Sequence, residues 1–151
     1  MKKIILFLSL SVLLMSCVED NTTSPAKADG VFYGNLSVGD FTEQAGITLT
    51  ENADSTVNIL FDDVKFAENM PLRIDIALKG VPALKADGVL RFSAVDIDPY
   101  TNNEQEPQPD YRFATISGVV EGDELLLEAR MSDELSPYVA GKVFSFSGHK
   151  E

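Results

Sequence analysis

Three groups of residues have types and spacings that could support chemistry: one cysteine, one histidine, and a run of acidic and amide side chains. Cys17 is the single cysteine, so neither a disulfide nor a thiolate metal cluster can be assembled within the chain. His149, in Gly148-His149-Lys150-Glu151, is the single histidine. A catalytic triad needs a base held by a third group beside a nucleophile, and a position so near the chain's last residue is expected to fray. Asp96, Asp98, Asn102 and Glu104 alternate in a way that could offer oxygen ligands to a hard cation. A helix-loop-helix calcium site would need a third acidic position at Tyr100 and a glycine one residue later, and neither is present, so these four are weak candidates for an adventitious cation site. Asp62-Asp63 closes a strand and reads as part of a solvated turn, with a place at a barrel mouth as the alternative. Carboxylates abound, but abundance is not the close pairing that acid-base chemistry on a sugar requires. The expectation is a protein that is not an enzyme, with no cofactor and no dedicated metal.

Cys17 has a different chemistry in prospect. Lys2 and Lys3 precede an unbroken apolar run from Ile4 to Leu14, followed by Leu14-Met15-Ser16-Cys17. A basic start, a short apolar stretch and small residues at a cut define a secretory signal, and the stretch is too short to span a bilayer. The order leucine, any residue, serine, cysteine resembles the lipobox of Gram-negative envelope lipoproteins. That resemblance implies removal of residues 1–16 and modification of Cys17 by acyl chains such as palmitate. Residues 17–29 then form the anchored cysteine and a polar tether. Val18 to Lys27 could reach about 33–36 Å if fully extended. Glu19-Asp20 weakly resembles an acidic export signal, and a plain solvated linker is the favoured reading.

Residues 1–16 carry Lys2 and Lys3 and no acid, so their removal moves the formal charge from −12 to −14. A nucleic-acid partner needs clustered lysine and arginine to displace counterions from phosphates, and the mature chain has none. The charge serves instead to keep tethered copies soluble and mutually repelled.

From Gly30 onward, apolar residues recur at every second position over short runs broken by glycine, asparagine, aspartate or proline, the signature of β-strands. Eight strands are expected. The first carries Phe32, Gly34, Leu36 and Val38 on one face; the second Ile47 and Leu49; the third Val57, Ile59 and Phe61; the fourth Leu72, Ile74, Ile76 and Leu78. Leu90, Phe92 and Ala94 follow the Asp87-Gly88 turn, a sixth strand runs from about Tyr111 to Val120, and Leu125, Leu127 and Ala129 follow the Glu121-Gly122-Asp123 turn. An eighth, about Lys142 to Ser147, sets Phe144 and Phe146 together. Ser132 to Tyr138 could form one helical turn, limited by Pro137. Lys27-Ala28-Asp29-Gly30-Val31 recurs as Lys85-Ala86-Asp87-Gly88-Val89, read as reused turn chemistry. Short links favour an antiparallel meander, and a single sheet of this size must curl closed or split into layers to remove its open edges. Closure gives an all-β, eight-stranded, up-and-down barrel over residues 30–151, just wide enough to be filled by side chains or to hold one small ligand.

The lipoprotein-type signal, the polar tether and a meander beginning Gly30-Val31-Phe32-Tyr33-Gly34 together resemble the calycin-like, or lipocalin-like, β-barrel domains of Gram-negative envelope lipoproteins. Lipocalins often place tryptophan two residues after that glycine; here Phe32 takes its place, the chain has no tryptophan, and no arginine follows Arg130. The resemblance implies a binding or scaffolding module at the outer membrane.

Phe32, Phe61, Phe92, Phe113, Phe144 and Phe146 fall on apolar strand faces, where packing as core is the favoured reading and lining a ligand cavity the sharper one. Gly34, Ala94, Gly118 and Ala129 could leave the missing volume. The segment Asp96 to Asp110 is the longest connection, expected to be a mobile, proline-stiffened rim with Tyr100 and Tyr111 able to lie against a ligand. Two functions are carried forward ahead of a least-favoured hydrolase: an envelope protein holding a small apolar ligand inside the barrel, and an interaction or structural module with a filled barrel and no ligand, as an accessory subunit of an outer-membrane assembly or an inhibitor of an extracellular enzyme.

Overall fold

The structure is a computed structural model that describes residues 27–134 and 139–151. The leader, Cys17 and most of the tether lie outside the described residues, as does the larger part of the helical turn expected over Ser132 to Tyr138.

Among the described residues there are nine strands: β1 (Gly30–Val38), β2 (Phe41–Glu51), β3 (Thr56–Val64), β4 (Ile74–Ala86), β5 (Val89–Ile97), β6 (Tyr100–Thr101), β7 (Phe113–Glu121), β8 (Glu124–Met131) and β9 (Val143–Lys150). Leaving aside β6, a two-residue strand lying on β4, each runs antiparallel to the next, and β9 returns to pair with β1. The result is a closed eight-stranded meander barrel. Two-residue turns join β1 to β2, β4 to β5 and β7 to β8. At the second of these both Asp87 and Gly88 have positive φ, the left-handed pair that matches the twist of the flanking strands.

Alternation along each strand puts one face inward. Phe32, Leu36 and Val38 of β1, Ile47 and Leu49 of β2, and Val57, Ile59 and Phe61 of β3 are buried, and the same rule selects Leu125, Leu127 and Ala129 of β8 and Phe144 and Phe146 of β9. Leu72 departs from expectation. It lies before the first residue of β4 and is 72% exposed, because the chain through Pro71 to Arg73 still belongs to the loop after β3. Asp62-Asp63 forms no turn and lies at the mouth end of β3, the alternative reading. Both residues lie within β3, where Asp63 (φ 49°) sits at a register shift and its N–H donates to Asp75 Oδ1 at 2.8 Å. The strand expected from Tyr111 starts instead at Phe113, since Pro109 to Tyr111 forms a 3-10 turn closed by the Arg112 N–H on the Pro109 carbonyl at 3.1 Å.

Because the strands alternate in direction, the long connections 65–73, 98–112 and 132–142 share one end, the rim, and the turns at 52–55, 87–88 and 122–123 share the other, the foot. At the rim, Phe66 leaves the β3–β4 loop and drops into the barrel with no exposed surface. Its ring lies 6.4 Å from Phe61 and 5.1 Å from Phe144, and Phe113 stacks on Phe61 at 6.1 Å. These separations are those of favourable aromatic pairs. At the foot, Ala28 is buried, Asp29 accepts the Glu51 N–H, and the Lys150 ammonium donates to the Lys27 carbonyl at 2.9 Å. Lys27 to Asp29, expected to belong to the tether, are thus packed and hydrogen-bonded against the barrel. The recurring pentapeptide serves two purposes: Asp29 caps a neighbouring strand, whereas Asp87 makes a hairpin.

The glycines expected to leave a void are already covered. A Cβ on Gly34 would stand 2.0 Å from the Ser147 carbonyl oxygen and one on Gly118 2.2 Å from Phe92 Cζ; at Gly148, which was not among them, a Cβ would likewise stand 2.4 Å from Phe146 Cζ, so phenylalanine rings occupy the space over Gly118 and Gly148. Phe32, Phe61, Phe66, Phe113, Leu36, Ile47 and Ile76 have essentially no surface open to a space that could hold water. The barrel is solid. Replacing Phe66 by alanine should therefore cost about 3–5 kcal/mol in urea unfolding, as for other buried phenylalanines; a loss below about 1 kcal/mol would show that the loop does not plug the barrel.

Candidate functional site

The six phenylalanines named from the strands come together, but as core. Phe61, Phe113 and Phe144 join Phe66 at the rim, Phe92 and Phe146 cover Gly118 and Gly148, and Phe32 is buried on β1. Their periodic placement was visible in the sequence; Phe66 was not, because a loop residue has no alternation to announce it.

The connection from Asp98 to Arg112 is more tied down than a mobile rim would be. Arg112 grips Asp98 with two charge-assisted hydrogen bonds, Nε to Oδ1 at 2.6 Å and Nη2 to Oδ2 at 2.9 Å, joining the two stems of the loop. The Gln108 N–H donates to the Pro99 carbonyl at 2.6 Å, and Tyr100–Thr101 pairs with Ile76 and Ala77 of β4. A strand of two residues is too short to leave a periodic signal, which is why the sequence shows only a loop there. Tyr100 is half-buried beneath the Lys79 ammonium, 3.8 Å from the ring centroid, and Tyr111 is packed against the core.

The four oxygen-bearing candidates do not converge. Asp98 is held by Arg112, Asn102 Oδ1 accepts the Asp75 N–H at 3.2 Å, and Glu104 accepts from the Gln108 amide, while Asp96 points to solvent. Among the described residues no group of three or more histidine, cysteine or acidic side chains is placed to hold a metal. His149 is not frayed: it sits in β9 between Tyr33 of β1 and Glu124 of β8, its Nε2 3.7 Å from Glu124 Oε1, because the last strand is the one that closes the barrel.

A broad depression lies on the outside. Rows of outward residues cross the wall in register: Ser37, Ser145, Glu128, Ser117 and Ser93 form one, and Asn35, Ser147, Leu126, Val119, Arg91 and Leu84 the next. Serines are small, so the first row sinks and the larger apolar side chains of the second stand above it. The groove so formed has a volume of about 820 Å³. The signal was present as Phe144-Ser145-Phe146-Ser147, where serine rather than a charged residue fills the outward positions.

A second groove, about 670 Å³, adjoins it along Ser93 to Asp98, between Pro82 and Pro107. Apolar Val95 and Leu84 are about 70% exposed beside these grooves.

A closed meander with a filled apolar core and grooves on its outer wall defines an all-β barrel. The chain is similar to the solved structure of a putative outer membrane protein from Bacteroides fragilis, with a TM-score of 0.54 at 16% identity. That match takes in 82% of this chain and 51% of the other, so the likeness spans about half of that protein's length and is one of fold. No known protein-family pattern matches the chain, and no curated protein matches it.

The Arg112 hydrogen bonds hold the Asp98 carboxyl below its ordinary range, with burial opposing and the Arg112 charge assisting. A depressed carboxylate adds stability that is present above its unfolded value, about 3.9, and is lost as pH falls through the folded one. Asp98→Asn should cost up to about 1 kcal/mol in unfolding near neutral pH, the range of a partly exposed pair. The gap from the wild type should close as the pH is lowered through the carboxylate range; a gap independent of pH would contradict the assignment.

Proposed function

We propose that this protein is a lipid-anchored, outer-membrane envelope protein that works by non-covalent binding through the outside of a filled, lipocalin-like barrel, and that it is not an enzyme. The observation that carries this reading is the placement of space: the interior is occupied by phenylalanine, and the room lies in the outer grooves. A ligand carried inside would have to part the rings of Phe61, Phe66, Phe113 and Phe144, whereas a partner on the wall displaces water alone.

Polarity supports the anchoring half. A membrane-spanning barrel is apolar outside and polar within. Here the apolar residues face inward, and serines, acids and lysines face out, so these strands are unsuited to lipid contact. Membrane association then falls to Cys17. Buried acyl chains contribute about 0.8 kcal/mol per methylene, so one chain binds marginally and two or more hold. The fold likeness to a putative outer membrane protein agrees with an envelope address.

Mass spectrometry of the protein purified from its own cells tests both halves. The denatured mass should match a chain beginning at Cys17 with acyl additions, and the native spectrum should show no non-covalent passenger. An unmodified chain would remove the anchor, and a stoichiometric apolar passenger would restore the carrier reading.

A further inference from the structure

The barrel wall has an opening. β4 and β5 pair from the Asp87-Gly88 turn up to Ala83 opposite Phe92, and there the ladder stops. It resumes only where Tyr100–Thr101 meets Ala77 and Ile76. Between those points Leu78 to Pro82 on one side and Ser93 to Pro99 on the other are not paired with each other.

The cause is local and readable. Pro82 would stand opposite Ser93 and has no N–H to donate. Two residues earlier, Gly80 has φ 68° and its N–H donates to Asn58 Oδ1 at 2.9 Å, at a register shift that keeps this stretch of β4 against β3. A proline and a bulge together pull β4 off β5.

What remains is a sheet edge. Ala86 and Val89 flank a two-residue turn and form a hydrogen-bonding pair, so alternation makes Leu84 and Arg91 the next such pair. Ser93 and Val95 follow in the same phase, aiming N–H and C=O groups into the opening, while Phe92 and Ala94 serve β7. Among the described residues nothing pairs with them from that side. The opening is the second groove, with exposed Val95 on its β5 edge, Leu84 beside its lower end and exposed Asp96 at its upper end.

Resting on the binding-module reading above, we propose that this edge receives an extended segment of a partner protein, which adds to β5 as a further strand. Its main chain satisfies Ser93 and Val95, alternate apolar side chains cover Val95 and Leu84, and a lysine or arginine meets Asp96. Main-chain bonding supplies affinity and alternate side chains supply selectivity in strand addition of this kind. Charge selects the partner. The chain carries −12, and exposed Glu104, Glu106 and Asp110 of the neighbouring rim loop place part of that charge beside the edge, so a basic segment is attracted while a second copy, bringing its own Asp96 and rim acids, is repelled.

The test uses the ¹⁵N-labelled mature chain and three synthetic peptides. One alternates lysine and valine, one carries N-methyl groups on alternate residues of the same sequence, and one has glutamate for lysine. The lysine peptide should slow amide exchange at Ser93 and Val95 by about tenfold or more, and the other two should not. Val95→Pro, which removes an N–H that nothing in the barrel accepts, should abolish the effect with the β-sheet circular dichroism unchanged, and Asp96→Asn should weaken it several-fold. No slowing with the lysine peptide, or equal slowing with all three, would overturn the proposal. Slow exchange at Ser93 and Val95 without peptide would do so too, a second copy being the occupant if it grows with protein concentration. Failure here leaves the solid core and outer grooves in place, whereas an interior passenger in the native spectrum would strike the function itself.

Discussion

Phe61, Phe66, Phe113 and Phe144 meet with ring centroids 5.1 to 6.4 Å apart, and on that contact the rest of the barrel relies. Three of them come from strands that are not neighbours in the wall, so their packing is what draws opposite sides of the sheet together at the rim. The fourth comes from a loop and converts an open mouth into a plugged one. Elsewhere the same requirement is met differently: where glycine removes volume from β7 and β9, the rings of Phe92 and Phe146 lie over it. Interiors this dense tolerate no missing group without cost.

Filling the inside has consequences for the outside. A barrel whose apolar side chains fill its own core leaves room for other molecules only at its wall, and a fully paired wall offers only side chains. This wall is not fully paired. Pro82 and the bulge at Gly80 separate β4 from β5 above Phe92, so main-chain groups face solvent beside the apolar Val95. Edges of this kind invite association and are normally blunted by charge or short length. Here the exposed stretch is short and a carboxylate, Asp96, stands at its end.

Much of the architecture was legible because a strand with one face buried must alternate. Phe32, Leu36, Ile47, Leu49, Val57, Ile59, Phe61, Leu125, Leu127, Phe144 and Phe146 were all assigned the inward face from period alone, and Asp87-Gly88 announced its hairpin. What escaped lacked a period. Phe66 sits in a loop, β6 has two residues, and Leu72 continued an alternation into a segment where Pro71 and the anchored loop hold the chain away from the sheet. The site was less legible than the fold. Asp96, Asp98, Asn102 and Glu104 had a spacing that pointed to a cation, but one of them was needed by Arg112 and another by the Asp75 amide, and only folding shows such prior claims. Outward serines are silent in any reading that looks for the core, and it is their register across four strands, with Glu128 on a fifth, that makes a groove.

The central claim is that the barrel has no interior room. Crystals of the mature chain held under xenon pressure test it directly, because xenon enters apolar cavities that water leaves dry. No xenon site is expected among the inward phenylalanines. A well-occupied xenon atom enclosed by Phe61, Phe113 and Phe144 would contradict it.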